Sequence, residues 1–205
     1  MKFQKEEIEL LRKRVATLLS KKRFSHTLGV ARCAVMLSEF CGEDKSEAEA
    51  AALLHDITKE YSSEKQLEIL GLSGITLDDE DILVPKIWHA YTAPYIIKRD
   101  FGDFATPNVL NAVYNHTIGH PKMTVFDEII FLADFIEDTR PYEPSVRLRE
   151  FVLDKMVAGE TERNIRTLHF ASIRSIDATI SHLLETGQRI SIKNVLTKNA
   201  LKSRI

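Results

Sequence analysis

Cysteine is nearly absent from this 205-residue chain, which holds only Cys33 and Cys41. On a single helix, eight residues of rise would separate them by about 12 Å, too far for a disulfide. Both are expected to be reduced packing thiols. No run of about 18 apolar residues occurs, so no helical membrane span and no membrane partner are expected. The first residues, Met1 to Glu9, carry acids and lysines without the apolar stretch of a secretory signal. The cytoplasm is the expected compartment. An excess of one charge is missing as well: 28 Lys and Arg face 30 Asp and Glu, for a net charge of −2. Dedicated nucleic-acid binders carry a basic excess, so no nucleic-acid partner is expected. Strand alternation, hairpin signals, internal repeats, low-complexity tracts and linkers are also lacking. What remains is 44% hydrophobic and 28% charged. That composition suits one compact domain over residues 1–205, able to bury roughly 70% of the surface its unfolded form exposes.

The periodicity is helical almost throughout. Glu6 to Leu19 puts Ile8, Leu11 and Val15 on one face, and Phe24 to Phe40 repeats the pattern. Ser46 with Glu49 reads as a capping box for a helix running to about His55 or Lys59. Ser63 is expected to cap a short helix through Leu70, ended by Gly71. Asp79 to Trp88 reads as a further short helix, and Thr92 as the cap of one with Pro94 in its first turn. Thr106-Pro107 marks the start of a helix reaching about Thr117. Thr124 caps another to about Asp138. Pro141 and Pro144 are expected to force an extended loop, followed by helices over Ser145–Val157 and Glu160–Glu185. Gly187 ends the last one, leaving a tail from Gln188 to Ile205. The expected fold class is therefore all-α, a single-domain helical bundle.

Polar residues with apolar neighbours carry the chemistry. His55-Asp56 follows Ala50-Ala51-Ala52-Leu53-Leu54 and precedes Ile57. An ionised carboxylate buried there needs a partner or a metal. Asp134 is the one polar residue in Ile129-Ile130-Phe131-Leu132-Ala133-Asp134-Phe135-Ile136. His26 follows Phe24-Ser25, His89 follows Ile87-Trp88, and His116 comes soon after Val113-Tyr114. Each has a plainer reading: a lone histidine is commonly a hydrogen-bonded core residue, and Asp134 can pair with Arg140. The set is more telling than its members. Two imidazoles and two carboxylates on three helices are ligand types for a borderline divalent metal such as iron, manganese or zinc. A bundle can aim them at one interior point.

The order His26 … His55-Asp56 … Asp134 resembles the signature of the HD-domain superfamily of metal-dependent phosphohydrolases. The strings Arg23-Phe24-Ser25-His26, Leu54-His55-Asp56-Ile57-Thr58-Lys59, His116-Thr117 and Ala133-Asp134-Phe135-Ile136-Glu137-Asp138-Thr139-Arg140 resemble its YqeK-like branch. That branch is similar to symmetrical bis(5′-nucleosyl)-tetraphosphate hydrolases. The likeness covers a motif core at about residues 20–145, with looser similarity over 146–205. It implies a bundle of the HD type with the metal inside, held by His26, His55, Asp56 and Asp134. Iron is the metal implied first, with manganese, cobalt, nickel or zinc as alternatives, as one ion or two. His89 and His116 would face the same cavity, touching phosphate or binding a second metal. Lys59, four residues after His55, shares its face if the helix persists. Arg23 and Arg140 would clamp phosphate oxygens. Substrate contacts are also expected at Ile57 and Thr58 and, from the tail, at Arg189 and Ile190.

The activity so implied is hydrolysis of diadenosine tetraphosphate to two ADP, with Asp56, Lys59, His89 and His116 as the catalytic set. The partner implied is a dinucleoside polyphosphate or a nucleoside diphosphate. The oligomeric state stays open, a homodimer included. Two rivals remain. One is an HD-type phosphohydrolase acting on a deoxynucleotide, a cyclic dinucleotide or an alarmone. The other is a nucleotide-sensing module without turnover, against which the intact ligand set argues.

Overall fold

The computed structural model describes residues 2–205, and among these there are helices and no strands. The helices are α1 (Lys5–Ala16), α2 (Lys21–Cys41), α3 (Lys45–Leu54), α4 (Ser63–Ser73), α5 (Asp79–Ile82), α6 (Trp88–Asp100), α7 (Pro107–Asn115), α8 (Val125–Ile136), α9 (Glu143–Lys155), α10 (Thr161–Glu185) and α11 (Ile192–Lys202). The all-α expectation holds.

Helix α3 is the hub. Six of its residues, Ala48, Ala50, Ala51, Ala52, Leu53 and Leu54, have no exposed surface. Its small side chains let α2 and α7 approach closely, and α1 and α8 also pack on it. Helix α8 carries apolar residues on every side, interrupted by Asp127, Glu128 and Asp134, and is likewise buried, with Ile129, Ile130, Leu132, Ala133 and Ile136 all at zero exposure. An all-round apolar helix has nowhere to go but the centre of a bundle. Cys33 and Cys41 are free thiols on α2, as the spacing implied. Burial, reinforced for each by nearby carboxylates, pushes both up to about 12.

Several boundaries differ from the sequence expectation, each for a local reason. The cap of α3 is Asp44, which accepts from the Glu47 amide, while Ser46 donates its hydroxyl to Asp44 and accepts from the Phe3 amide. The helix already begins at Lys45, so Ser46 falls inside its first turn. Helix α3 stops at Leu54, and residues 55–60 continue as tight turns bonded Leu54 to Ile57, Asp56 to Lys59 and Thr58 to Tyr61. Ser62, not Ser63, caps α4, and the left-handed Gly74 ends it, so Gly71 lies inside. Asp79 to Trp88 is a four-residue helix and then a 3-10 turn. Thr92 caps nothing: α6 already starts at Trp88, and the Thr92 hydroxyl pairs with that of Thr58 inside the core. Pro144 opens α9 rather than a loop, because proline is tolerated in a first turn. The expected tail contains α11, capped by Ser191 and burying Asn194, Thr197 and Leu201.

Helices α3, α7 and α8 end in one place. Their C-terminal caps are His55, His116 and Glu137. That meeting point positions the site.

Candidate active site

Asp56 is 3% exposed and lies at the centre of the convergence. Its Oδ2 is 3.3 Å from His55 Nε2, 3.8 Å from His26 Nε2 and 2.7 Å from the Arg23 guanidinium. Its Oδ1 is 3.3 Å from His89 Nε2 and 3.7 Å from His116 Nε2. Asp134 reaches the same point from α8, with Oδ1 3.0 Å from His26 Nε2 and 2.7 Å from Arg140. Its pairing with arginine and its proximity to imidazole thus coexist. Its side chain is 21% exposed, opening on a cavity instead of packed protein.

The rings are aimed. His55 Nδ1 lies 2.6 Å from the Ala52 carbonyl, and His116 Nδ1 2.6 Å from that of Val113. A ring donating Nδ1–H to a carbonyl presents its Nε2 lone pair on the other side. Both Nε2 atoms are turned toward Asp56. His26 is held differently, with Nδ1 3.2 Å from Glu137 Oε1. Burial opposes the charging of His26, but Asp134 and Glu137 outweigh it and raise its pKa to about 9. Burial also opposes ionisation of Asp56, yet the surrounding imidazoles hold its carboxyl well below the usual range. For Asp134, Arg140 and His26 likewise overcome burial and keep the carboxylate ionised. His89 is pushed well down, by burial and then by the Lys59 ammonium beside it.

Two sets of donors are close enough to hold a cation: His26, His55 and Asp134, and His55, Asp56 and His116, with the ligand atoms of each set within 4.8 Å of one another. His26 Nε2 and His55 Nε2 are buried and lack any well-directed hydrogen bond. Buried polar atoms are nearly always paired. These two point toward nearby carboxylates without bonding them, as ligands round a shared centre do. Nitrogen and oxygen donors together suit a borderline divalent metal, so the residues fit the implied ion.

Around this centre lies a cavity of about 470 Å³ whose rim is basic: Lys22, Arg23, Lys59 and Arg140 line it with His26 and Asp56. Lys59 Nζ sits 3.2 Å from both ring nitrogens of His89 and donates to the Lys86 carbonyl. His89 Nε2 is 3.1 Å from His116 Nε2. A second cavity of about 320 Å³ adjoins it and shares Thr117, Asp134 and Arg140. Its other walls are largely aromatic, with Phe131, Phe135, Tyr142 and His182. The Tyr142 and His182 rings meet edge to face at 5.9 Å.

Of the residues singled out in the sequence, His26, His55, Asp56, His89, His116, Asp134, Arg23, Lys59 and Arg140 come together. Ile57 and Thr58 are buried in the core and line neither cavity; Thr58 bonds the His89 carbonyl and so steadies α6. Arg189 and Ile190 line neither cavity, and their neighbour Gln188 bonds Lys86. Sequence reasoning passed over Thr117, whose hydroxyl bridges His89 Nε2 at 3.1 Å and His116 Nε2 at 3.0 Å. It also passed over Lys22, Glu137 and the aromatic chamber. The strings His116-Thr117 and Phe135-Ile136-Glu137 held the only available signal.

An all-helical bundle that gathers two such donor sets beneath a basic rim defines a metal-dependent hydrolase of anionic substrates. Residues 23–138 match the HD domain family, and the chain belongs to that family. It is similar to the symmetrical bis(5′-nucleosyl)-tetraphosphatase of Bacillus subtilis, 31% identical over 188 residues that cover 90% of this chain and 92% of the relative. The enzyme of the same name from Halalkalibacterium halodurans is 30% identical, covering 89% and 90%. Among solved structures, a crystal structure described as a predicted HD superfamily hydrolase involved in NAD metabolism, from Clostridium acetobutylicum, matches with a TM-score of 0.82. It is 30% identical and covers 96% of this chain and 97% of that one. The protein is an HD-type phosphohydrolase with a candidate His/Asp metal site. None of its described helices is long and apolar enough to cross a membrane.

Proposed function

We propose that this enzyme hydrolyses diadenosine tetraphosphate symmetrically to two ADP. The observation that carries the reading is the pair of joined cavities. One is basic and imidazole-lined, as a phosphate chain requires, and the other is aromatic, as a nucleoside requires. Relatives named for this reaction support the substrate.

His26, His55, Asp56 and Asp134 would hold the divalent cation, with iron first among the metals that suit them. When bound, such an ion lowers the pKa of water enough to supply a nucleophile at neutral pH. The side chains do the rest. Phe135, Tyr142 and His182 hold one nucleoside, and Arg140, at the junction of the cavities, takes its phosphates through a planar fork. Attack by water on a central phosphorus forms one P–O bond as the bridging P–O bond breaks, and the second ADP departs. Lys59 and Arg23 neutralise charge that grows on the phosphoryl oxygens. His89 and His116, linked through Thr117, would carry the proton to the leaving oxygen. Residues 1–205 act as one unit in this reading, because α8 and α10 both wall the nucleoside chamber.

Chromatography of the products decides the matter. Two ADP from the tetraphosphate is the expected outcome; AMP with ATP, or turnover confined to another nucleotide, points to the rival phosphohydrolase. Asp56→Ala is expected to lose both metal and turnover. Activity persisting in metal-free Asp56→Ala protein would defeat the mechanism.

A further inference from the structure

We propose that Glu137 is a positioning residue for the metal centre, acting through His26, and that Gly29 is the notch that makes room for it. The inference rests on the reading of His26 as a ligand.

Glu137 follows the last residue of α8, where the backbone turns extended with ψ 155°. That turn folds its side chain back against α2, with no surface left exposed. Oε1 faces His26 Nδ1 at 3.2 Å and accepts from the Thr139 hydroxyl at 2.8 Å. Oε2 accepts from the Thr139 amide at 2.7 Å. The Arg149 guanidinium donates to the backbone carbonyls of Ile136 and Glu137 and so fastens the turn itself. The carboxylate is held from several sides with one oxygen presented to the ring.

Gly29 lies one helical turn beyond His26. A Cβ there would stand 2.3 Å from Glu137 Oε2 and 3.1 Å from Asp138 Oδ1. Its φ is not positive, so conformational freedom is not what the site requires. The requirement is space. Glycine inside a helix is less stable than alanine, and here the bare backbone is the floor on which the carboxylate rests.

The chemical consequence is specific to His26. His55 and His116 turn Nδ1 to neutral carbonyls. His26 turns it to a charged carboxylate. An imidazole so paired presents Nε2 as the lone-pair donor and is the more basic ligand. Removing such an outer partner typically weakens metal affinity by about 10–100-fold.

The test uses the full chain without nucleotide. Co²⁺ affinity is measured by chelator competition, and the ligand field by visible absorption. Glu137→Gln keeps an acceptor but loses the charge, and about a tenfold or greater loss of affinity with a changed spectrum is expected. Gly29→Ala removes no polar group and is expected to weaken Co²⁺ by a similar factor, because its methyl displaces the carboxylate. Should Gly29→Ala fail to fold, Thr139→Val, which strips one hydrogen bond from Oε1, decides in its place. Asn164→Ala serves as a stability control: Asn164 bridges the Phe40 and Val157 carbonyls away from the site. It should lower the unfolding temperature and leave Co²⁺ affinity alone. A parent protein that binds no Co²⁺ overturns the metal centre and this inference with it. A parent that binds, with folded variants within twofold of it, overturns this inference alone.

Discussion

Lys59 shows how a side chain can reach the chemistry by a route the sequence does not spell out. Its position four residues after His55 suggests a shared helical face, but the helix stops at Leu54 and tight turns deliver the ammonium instead. Once there it is partly enclosed, and burial lowers its pKa against the pull of Asp56 and Asp134. A cation poised by the protein over a developing phosphoryl charge is worth about 10²–10³ in turnover. Lys59→Met is therefore expected to lower kcat by roughly that factor while leaving Co²⁺ affinity unchanged. Steady-state kinetics beside metal titration checks both halves, and an unaltered kcat removes Lys59 from the catalytic set. At this scale the candidate ligands were legible because a carboxylate amid apolar neighbours has few reasons to be there. Glu137 was not, because Glu137-Asp138-Thr139-Arg140 looks like an ordinary solvated stretch until the turn folds one carboxylate inward. Thr117 was hidden in the same way, since threonine is unremarkable beside any histidine.

Among the elements, α3 depends most on a single residue. Asp44 caps it through the Glu47 amide and is itself bonded by Ser46. Slight burial opposes its ionisation, yet these hydrogen bonds prevail and hold its carboxyl below the usual range. A group whose folded pKa is depressed stabilises the protein above its unfolded pKa, about 3.9 for aspartate, and loses that contribution as pH falls through the folded value. Asp44→Ala is expected to cost about 1 kcal/mol at neutral pH. In urea unfolding, that difference should shrink steadily below about pH 4; a gap independent of pH would mean the carboxylate is not the cap. The sequence reading chose Ser46 as the cap, and the fold shows Asp44 in that place two residues earlier. Helix α11 was illegible for another reason. Its inner face is Asn194, Thr197 and Leu201, too polar to register as a stripe, and Asn194 instead bonds the Ile118 carbonyl. Lys193 adds an ion pair to the buried Asp81, which also accepts from the Tyr91 hydroxyl. These tie α11 to α5 and α6.

Across the whole molecule, the bundle core was the most readable part, because long apolar periodicities in α2, α8 and α10 admit few arrangements. The aromatic chamber was the least readable, because its walls come from Phe131, Tyr142 and His182, far apart in sequence and each plausible as packing. The candidate donors for a cation come from α2, from the turn after α3 and from α8, so binding there would cross-link three parts of the bundle. A ligand at a hundred times its Kd raises folding stability by about 2.7 kcal/mol when the unfolded chain does not bind it. Cobalt or manganese should therefore raise the unfolding temperature of chelator-treated protein by several degrees. The same addition should do nothing for a protein with Asp134→Asn. A rise of equal size in that variant would place the ion elsewhere.

The meeting of α3, α7 and α8 at their C-terminal ends has an electrostatic result. Each terminus carries the negative pole of its peptide dipoles, equivalent to roughly half an electron charge. Three such poles, with Asp56 and Asp134 among them, favour a cation at the floor of this corner, while Lys22, Arg23, Lys59 and Arg140 at its rim favour an anion. A bound ion would offset the three poles and leave the pull of the basic rim on an anion unopposed.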